Sequence, residues 1–203
     1  MDLTKKCLDT IPDGQEVILI DNSTVAECRN YAAIRSFLIK QYIRPEREPL
    51  SYAASLNTGI KASSSAWVIL ANNDLLFQPS AFERFASLPK EGGPDLFITE
   101  VRWSCVMLSR KAYEQVGGFD ESFIPCAGED DDFMVRFCKA GLKWQIVPIG
   151  IWHQEGGHHC RIDGGRNIKL FEHKHKMKYG SPEHQEIINS GQWKKSEIWV
   201  PSA

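Results

Sequence analysis

The sequence predicts an α/β domain built on a mostly parallel sheet. Three observations carry that prediction. Short, almost wholly apolar runs read as strands buried on both faces. Helical patterns alternate with them along the chain. Polar or acidic residues close the runs, at the strand ends where open α/β sheets collect ligands. With 203 residues, 42% of them hydrophobic, the chain suits one packed domain over residues 1–203.

The elements follow in order. Leu3–Ile11 has helical spacing, and Pro12–Gly14 ends it. Glu16–Asp21, "EVILID", is a strand closing on an acid. Ala26–Tyr42 reads either as one amphipathic helix or as a helix followed by a short strand, broken by Pro45 and Pro49. Ser51–Ser63 is helical, and Ala66–Asp74, "AWVILANND", is a second buried strand. Pro79–Leu88 is a helix with proline near its first turn, where proline is tolerated. Asp95–Thr99 and Ser104–Ser109 are strands, and Arg110–Gly118 is a short helix stopped by glycines. Asp131–Gly141 places Phe133, Met134, Phe137 and Ala140 on one helix face, with Gly141 as its stop. Trp144–Ile151 returns as strand, and Gly165–Gly180 closes with a basic helix.

Bulk properties exclude several classes. A formal net charge of -2 gives no basic field for nucleic acid or an anionic membrane. The longest apolar runs, such as Ala66–Ala71, are far too short to span a bilayer. No charged-then-apolar leader follows Met1, so the expected location is cytoplasmic. Six cysteines without a CxxC pair suit free thiols in a reducing compartment.

The chemistry concentrates in "CAGEDDDF", Cys126–Phe133, where four carboxylates stand side by side, Glu129 to Asp132. Such a run is either a solvated acidic turn or a set of groups that bind metal, take a proton or orient a hydroxyl. Asp132 sits in the first turn of its helix, where a carboxylate favours the positive dipole end, and Arg136 lies four residues on. Gly128 lets the backbone turn sharply into that helix. Asp21 and Asp74 each close a strand, and each alone is equally well read as a turn or helix cap.

Taken together, the order of these segments resembles the GT-A nucleotide-sugar glycosyltransferases, chiefly the inverting family 2. "EVILIDNST", "SYAASLNTGIKAS", "VILANNDLLFQPSAFERF" and the "GGFDE…GEDDDF" half follow that family's sequence of parts, as do "IWHQEGG" and "HKHKMKYG". The "GEDDDF" block also resembles the β-1,4-galactosyltransferases of family 7. The resemblance covers about Leu3 to Gly180. It implies an enzyme moving a sugar from a UDP-, GDP- or dTDP-sugar to a glycan or other acceptor hydroxyl, with Asp130 as general base. It places Asp21, Asn57, Asn72, Asn73, Glu129, Asp131 and Trp152 against donor or acceptor. Asp74 and His153 would hold Mn²⁺ or Mg²⁺, although a histidine at a strand end is as readily solvent-facing.

Two departures stand out. The metal motif reads Asn72-Asn73-Asp74, so its first carboxylate is an amide without charge. A first strand expected before Leu3 is also missing. "SEIWVPSA", Ser196–Ala203, is a candidate to replace it through a circular permutation; the other reading is a plain tail. A sugar- or nucleotide-binding domain without catalysis is the alternative function, and a metal-dependent phosphoesterase a third.

Overall fold

A computed structural model describes residues 2–22, 27–44, 50–154 and 165–193. The chain opens with α1 (Asp2–Asp9), β1 (Val17–Ile20), α2 (Glu27–Ile34), β2 (Ile39–Ile43) and α3 (Tyr52–Ala62). It continues through β3 (Trp67–Ala71), β4 (Leu75–Phe77), α4 (Ala81–Ser87), β5 (Leu96–Thr99), β6 (Arg102–Ser109) and α5 (Arg110–Val116). It ends with α6 (Glu129–Lys139), β7 (Trp144–Val147), β8 (Ile151–His153), α7 (Arg166–His175) and α8 (Pro182–Ser190). Of the two readings of Ala26–Tyr42, the helix followed by a strand is the one found.

The central sheet has the order β3-β6-β5-β7. β6 is antiparallel to β3 and β5, while β5 and β7 are parallel, so β6 alone is reversed. The short link from Thr99 to Arg102 permits only an antiparallel return, which accounts for that reversal. Side chains alternate across the sheet. Val68, Leu70, Leu96, Ile98, Val106 and Leu108 pack under α3, α5 and α6. Trp67, Ile69, Phe97, Cys105 and Met107 pack against α1, α4 and β4. The result is a mixed α/β sandwich in three layers.

β1 and β2 form a separate parallel pair. Among the described residues, neither β1 nor β3 is hydrogen-bonded along its remaining edge. The same helices nevertheless cover both strands. On one face Gly59 of α3 approaches Ile20, and Ile60 packs with Val68 and Leu70. On the other, Cys7 of α1 joins the cluster of Trp67 and Ile69, and Leu8 that of Val17 and Leu19. β1 and β3 therefore border a slot. Ser196–Ala203, the segment expected to fill it, lies outside the described residues.

Two expectations change. "WQIVPIGI" is not one strand, because Gly150 turns at φ 91°, a left-handed conformation suited to glycine. β8 thereby leaves the central sheet and pairs antiparallel with β4, setting Leu75 opposite His153. Glu100 holds this turn, its carboxylate accepting from the amides of Ile149, Gly150 and Ile151 at 3.0, 2.5 and 2.8 Å. The cysteines also differ from expectation. Cys7, Cys28, Cys105 and Cys138 are buried and outside any disulfide, whereas Cys126 is disulfide-bonded. A disulfide belongs to oxidising surroundings, which removes the support that free thiols gave to a reducing compartment. No described helix is long and apolar enough to cross a membrane.

Glu100→Ala leaves the buried amides of Ile149 and Ile151 without their acceptor. The domain should lose about 2–4 kcal/mol of stability in urea unfolding.

Candidate active site

The four carboxylates divide between two environments. Gly128, at φ 97°, precedes the helix and turns the chain into α6. Asp132 points inward and is fully buried. Its Oδ2 accepts from Arg136 Nε and Nη2 at 2.8 and 2.6 Å, confirming the pair expected four residues apart. Its Oδ1 meets Lys174 Nζ at 2.6 Å and His175 Nε2 at 2.8 Å. Asp132 is thus spent on structure, and Glu129, Asp130 and Asp131 remain.

Glu129 is buried, and its Oε2 accepts no hydrogen bond among the described residues. Burial, with the charge of Asp130 beside it, pushes its carboxyl up to about 7. Asp130 and Asp131 sit half-buried on the rim, and burial raises both above the ordinary carboxylate range. For Asp130 the neighbouring Asp131 charge adds to that rise; for Asp131 a hydrogen bond from Tyr179 opposes it. The loop before the helix is held by Asn167, whose Nδ2 donates to the carbonyls of Cys126 and Ala127.

The opposite wall is built from the turn between β3 and β4. Asp74 is buried there, its Oδ1 3.5 Å from His153 Nε2 on β8. That oxygen too is buried without a hydrogen bond among the described residues. Asn72 Oδ1 accepts from Tyr52 at 2.6 Å, and Asn73 Nδ2 donates to Thr4 Oγ1 of α1 at 2.7 Å. Trp152, beside His153, is 65% exposed. Asp21 is buried at the end of β1 and accepts from the Tyr42 hydroxyl and from Arg44 Nη1.

Tyr52 joins the two walls. Its amide donates to Pro125 in the loop before α6, and its hydroxyl to Asn72. Burial raises its phenol, as do the charges of Glu129, Asp130 and Asp74. Sequence reasoning missed this residue, since a tyrosine opening a helix looks like packing. Asn57, expected at the donor, is buried, and its Nδ2 donates to Phe119 O and Glu121 Oε1. Its Oδ1 accepts from the Phe119 amide and the Tyr113 hydroxyl, so the amide fastens α3 to the "GGFDE" turn.

The model of one protein family, Glycosyl transferase family 2, matches residues 2–135. The chain belongs to that family. Comparison with curated proteins by sequence gives no match. Among solved structures, the chain is similar to the mannosyltransferase PcManGT from Pyrobaculum calidifontis, in complex with GDP-Man and Mn²⁺. The TM-score is 0.66 at 15% identity over 93% of this chain and 65% of that one. It is also similar to S. aureus TarS 1–349, with TM-score 0.66 and 10% identity over 93% of this chain and 66% of that one. TarS 1–349 in complex with UDP-GlcNAc gives TM-score 0.61 at 12% identity, over 91% and 66%. The chain thus spans about two-thirds of these structures, which share its GT-A fold.

The family's metal can be tested against the residues present. Among the described residues no group of three or more His, Cys, Asp or Glu could hold a metal ion. Asp74 Oδ1 and His153 Nε2 do fit as two ligands. Donors each about 2.1 Å from one cation lie no more than about 4.2 Å apart, and these two are 3.5 Å apart.

Asn57→Ala should cost about 2–4 kcal/mol in denaturant unfolding, because it orphans the Phe119 amide and the Tyr113 hydroxyl. Nucleotide-sugar affinity of the folded fraction should stay unchanged by calorimetry, where a donor contact would show a loss.

Proposed function

We propose that the chain is an inverting glycosyltransferase using a nucleotide-sugar donor and an acceptor hydroxyl. One observation carries the reading. Two buried carboxylate oxygens, Asp74 Oδ1 and Glu129 Oε2, have no hydrogen bond among the described residues, and they stand on the two walls that Tyr52 joins. Buried polar atoms without partners are rare in native proteins, and at a cleft they mark where a ligand supplies the missing bond.

In this reading Asp130 takes the proton from the acceptor hydroxyl. Its raised proton affinity suits a base working near neutral pH. Glu129 and Asp131, on either side, orient acceptor hydroxyls or the donor sugar. Trp152, exposed beside His153, offers a flat apolar face to a sugar ring. Asp21, Asn72 and Asn73 line the donor side, with Asp21 held by Tyr42 and Arg44. Asp74 and His153 would hold Mn²⁺ or Mg²⁺, which supplies positive charge to the departing diphosphate. The complexes of the similar structures, with GDP-Man and Mn²⁺ and with UDP-GlcNAc, support a nucleotide-sugar donor and a divalent cation. Asn72 favours the alternative of a binding domain without catalysis, since it brings no charge and its oxygen is taken by Tyr52. Hydrolysis of a UDP-, GDP- and dTDP-sugar panel with Mn²⁺ separates the two.

Asp130→Asn should lower turnover of the accepted donor by about a hundredfold or more with donor affinity retained. A loss below tenfold removes Asp130 from the role.

Asp74→Ala and His153→Ala should each weaken donor binding measured by calorimetry in Mn²⁺. EDTA should do the same to the unsubstituted protein. Binding that ignores both substitutions and EDTA would exclude the metal site.

A further inference from the structure

The "KYG" segment is the part of the sequence pattern that this function leaves unused. It forms the link from α7 to α8, and the fold turns it back onto the acidic end of α6. The Tyr179 hydroxyl donates to Asp131 Oδ2 at 2.6 Å. Its ring is fixed by an edge contact with Phe171, centroids 5.3 Å apart, and by His184 at 5.5 Å. Its amide donates to Glu172 Oε1 at 3.2 Å, and the next amide, Gly180, to His184 Nδ1 at 3.1 Å. Ser181 then caps α8 through the His184 amide. Every part of the link is tied down so that one phenol meets one carboxylate.

The contact matters because Asp131 adjoins Asp130. The Asp131 amide donates to Asp130 Oδ1 at 3.0 Å, so the two side chains share one short stretch of backbone. We propose that Tyr179 is a positioning residue for the base: it holds Asp131 in place as the anion, and Asp131 then sets the charge against which Asp130 keeps its proton. The proposal rests on Asp130 being the base.

The electrostatics agree in sign. Burial raises Asp131, and the Tyr179 hydrogen bond is what opposes that rise. Burial raises Asp130 first, and the charge of Asp131 raises it further. Among the described residues, the other groups facing the pair are Glu129 on its own helix and Tyr52 from α3. His184 of α8 and Glu172 of α7 stand behind Tyr179. With the phenol donating to Asp131, the single proton of the pair resides on Asp130. Without it, Asp131 takes up a proton more readily, and the charge that raises Asp130 is lost with it. Asp130 then gives up its proton at lower pH.

Tyr179→Phe keeps the ring packed on Phe171 and His184 and removes only the donor. Hydrolysis of the panel donor that the protein accepts, measured in Mn²⁺ from pH 5 to 8, should show the acid limb of kcat moved to lower pH. At pH 5 kcat should rise about three- to tenfold with KM unchanged. The ¹³C carboxyl shifts of labelled aspartates, read without substrate, should report Asp130 titrating lower and Asp131 higher. Asp131→Asn should shift the acid limb the same way, because it too removes the charge that raises Asp130. Carboxyl titrations and rate profiles unmoved in both variants, beside an inactive Asp130→Asn, would overturn the role of Tyr179 alone. An Asp130→Asn protein that keeps its hydrolysis rate would instead overturn the base assignment beneath it.

Discussion

Burial of Asp132 is the constraint on which the rest of the site depends. A carboxylate with no solvent exposure is tolerable only when its charge is matched, and here Arg136, Lys174 and His175 divide its two oxygens. Arg136 also donates to Val116 O at the end of α5, and Lys174 to Asp120 in the following turn. One buried charge therefore locks α5, α6 and α7 together. It also fixes the rotation of α6. Each residue advances about 100° around a helix, so with Asp132 facing inward Asp130 is turned about 160° away, toward the cleft. Glu129 falls close to the inward side and is buried, as its position requires. Four adjacent acids coexist because they point in different directions. One is neutralised by cations, and the raised proton affinity of the others softens the remaining repulsion.

The second constraint is the seam made by Tyr52. Asp74 and the acid block are far apart in sequence and belong to different layers, one after a sheet strand and the other on a helix. A rigid phenol, bonded to Asn72 at its tip and to Pro125 at its backbone, keeps the two walls in register. Asn72 then looks less like a damaged metal ligand. Its amide oxygen accepts from a neutral phenol, whereas a carboxylate at that point would add a further negative charge to those already raising Tyr52.

Much of this was legible because period and position are local properties. The apolar runs from Val17, Trp67 and Leu96, the glycine turning into α6 and the Asp132–Arg136 spacing all appear in the structure as read. The misses have physical reasons. β4 is three residues long and owes its existence to pairing with β8, a partner seventy-odd positions away. α8 carried a visible signal, Ser181 followed by Pro182 at its start, which the pattern of apolar residues overshadowed. The fastening role of Asn57 was not legible, because a family pattern marks a residue as needed without saying what for. Tyr52 and Tyr179 could not be assigned from sequence, because an aromatic ring declares its polar tip only when its partner is known.

The slot between β1 and β3 connects these points to the sheet. Asp21 follows β1 and Asp74 follows β3, so whatever lies in the slot sets the spacing between the two acids that close those strands.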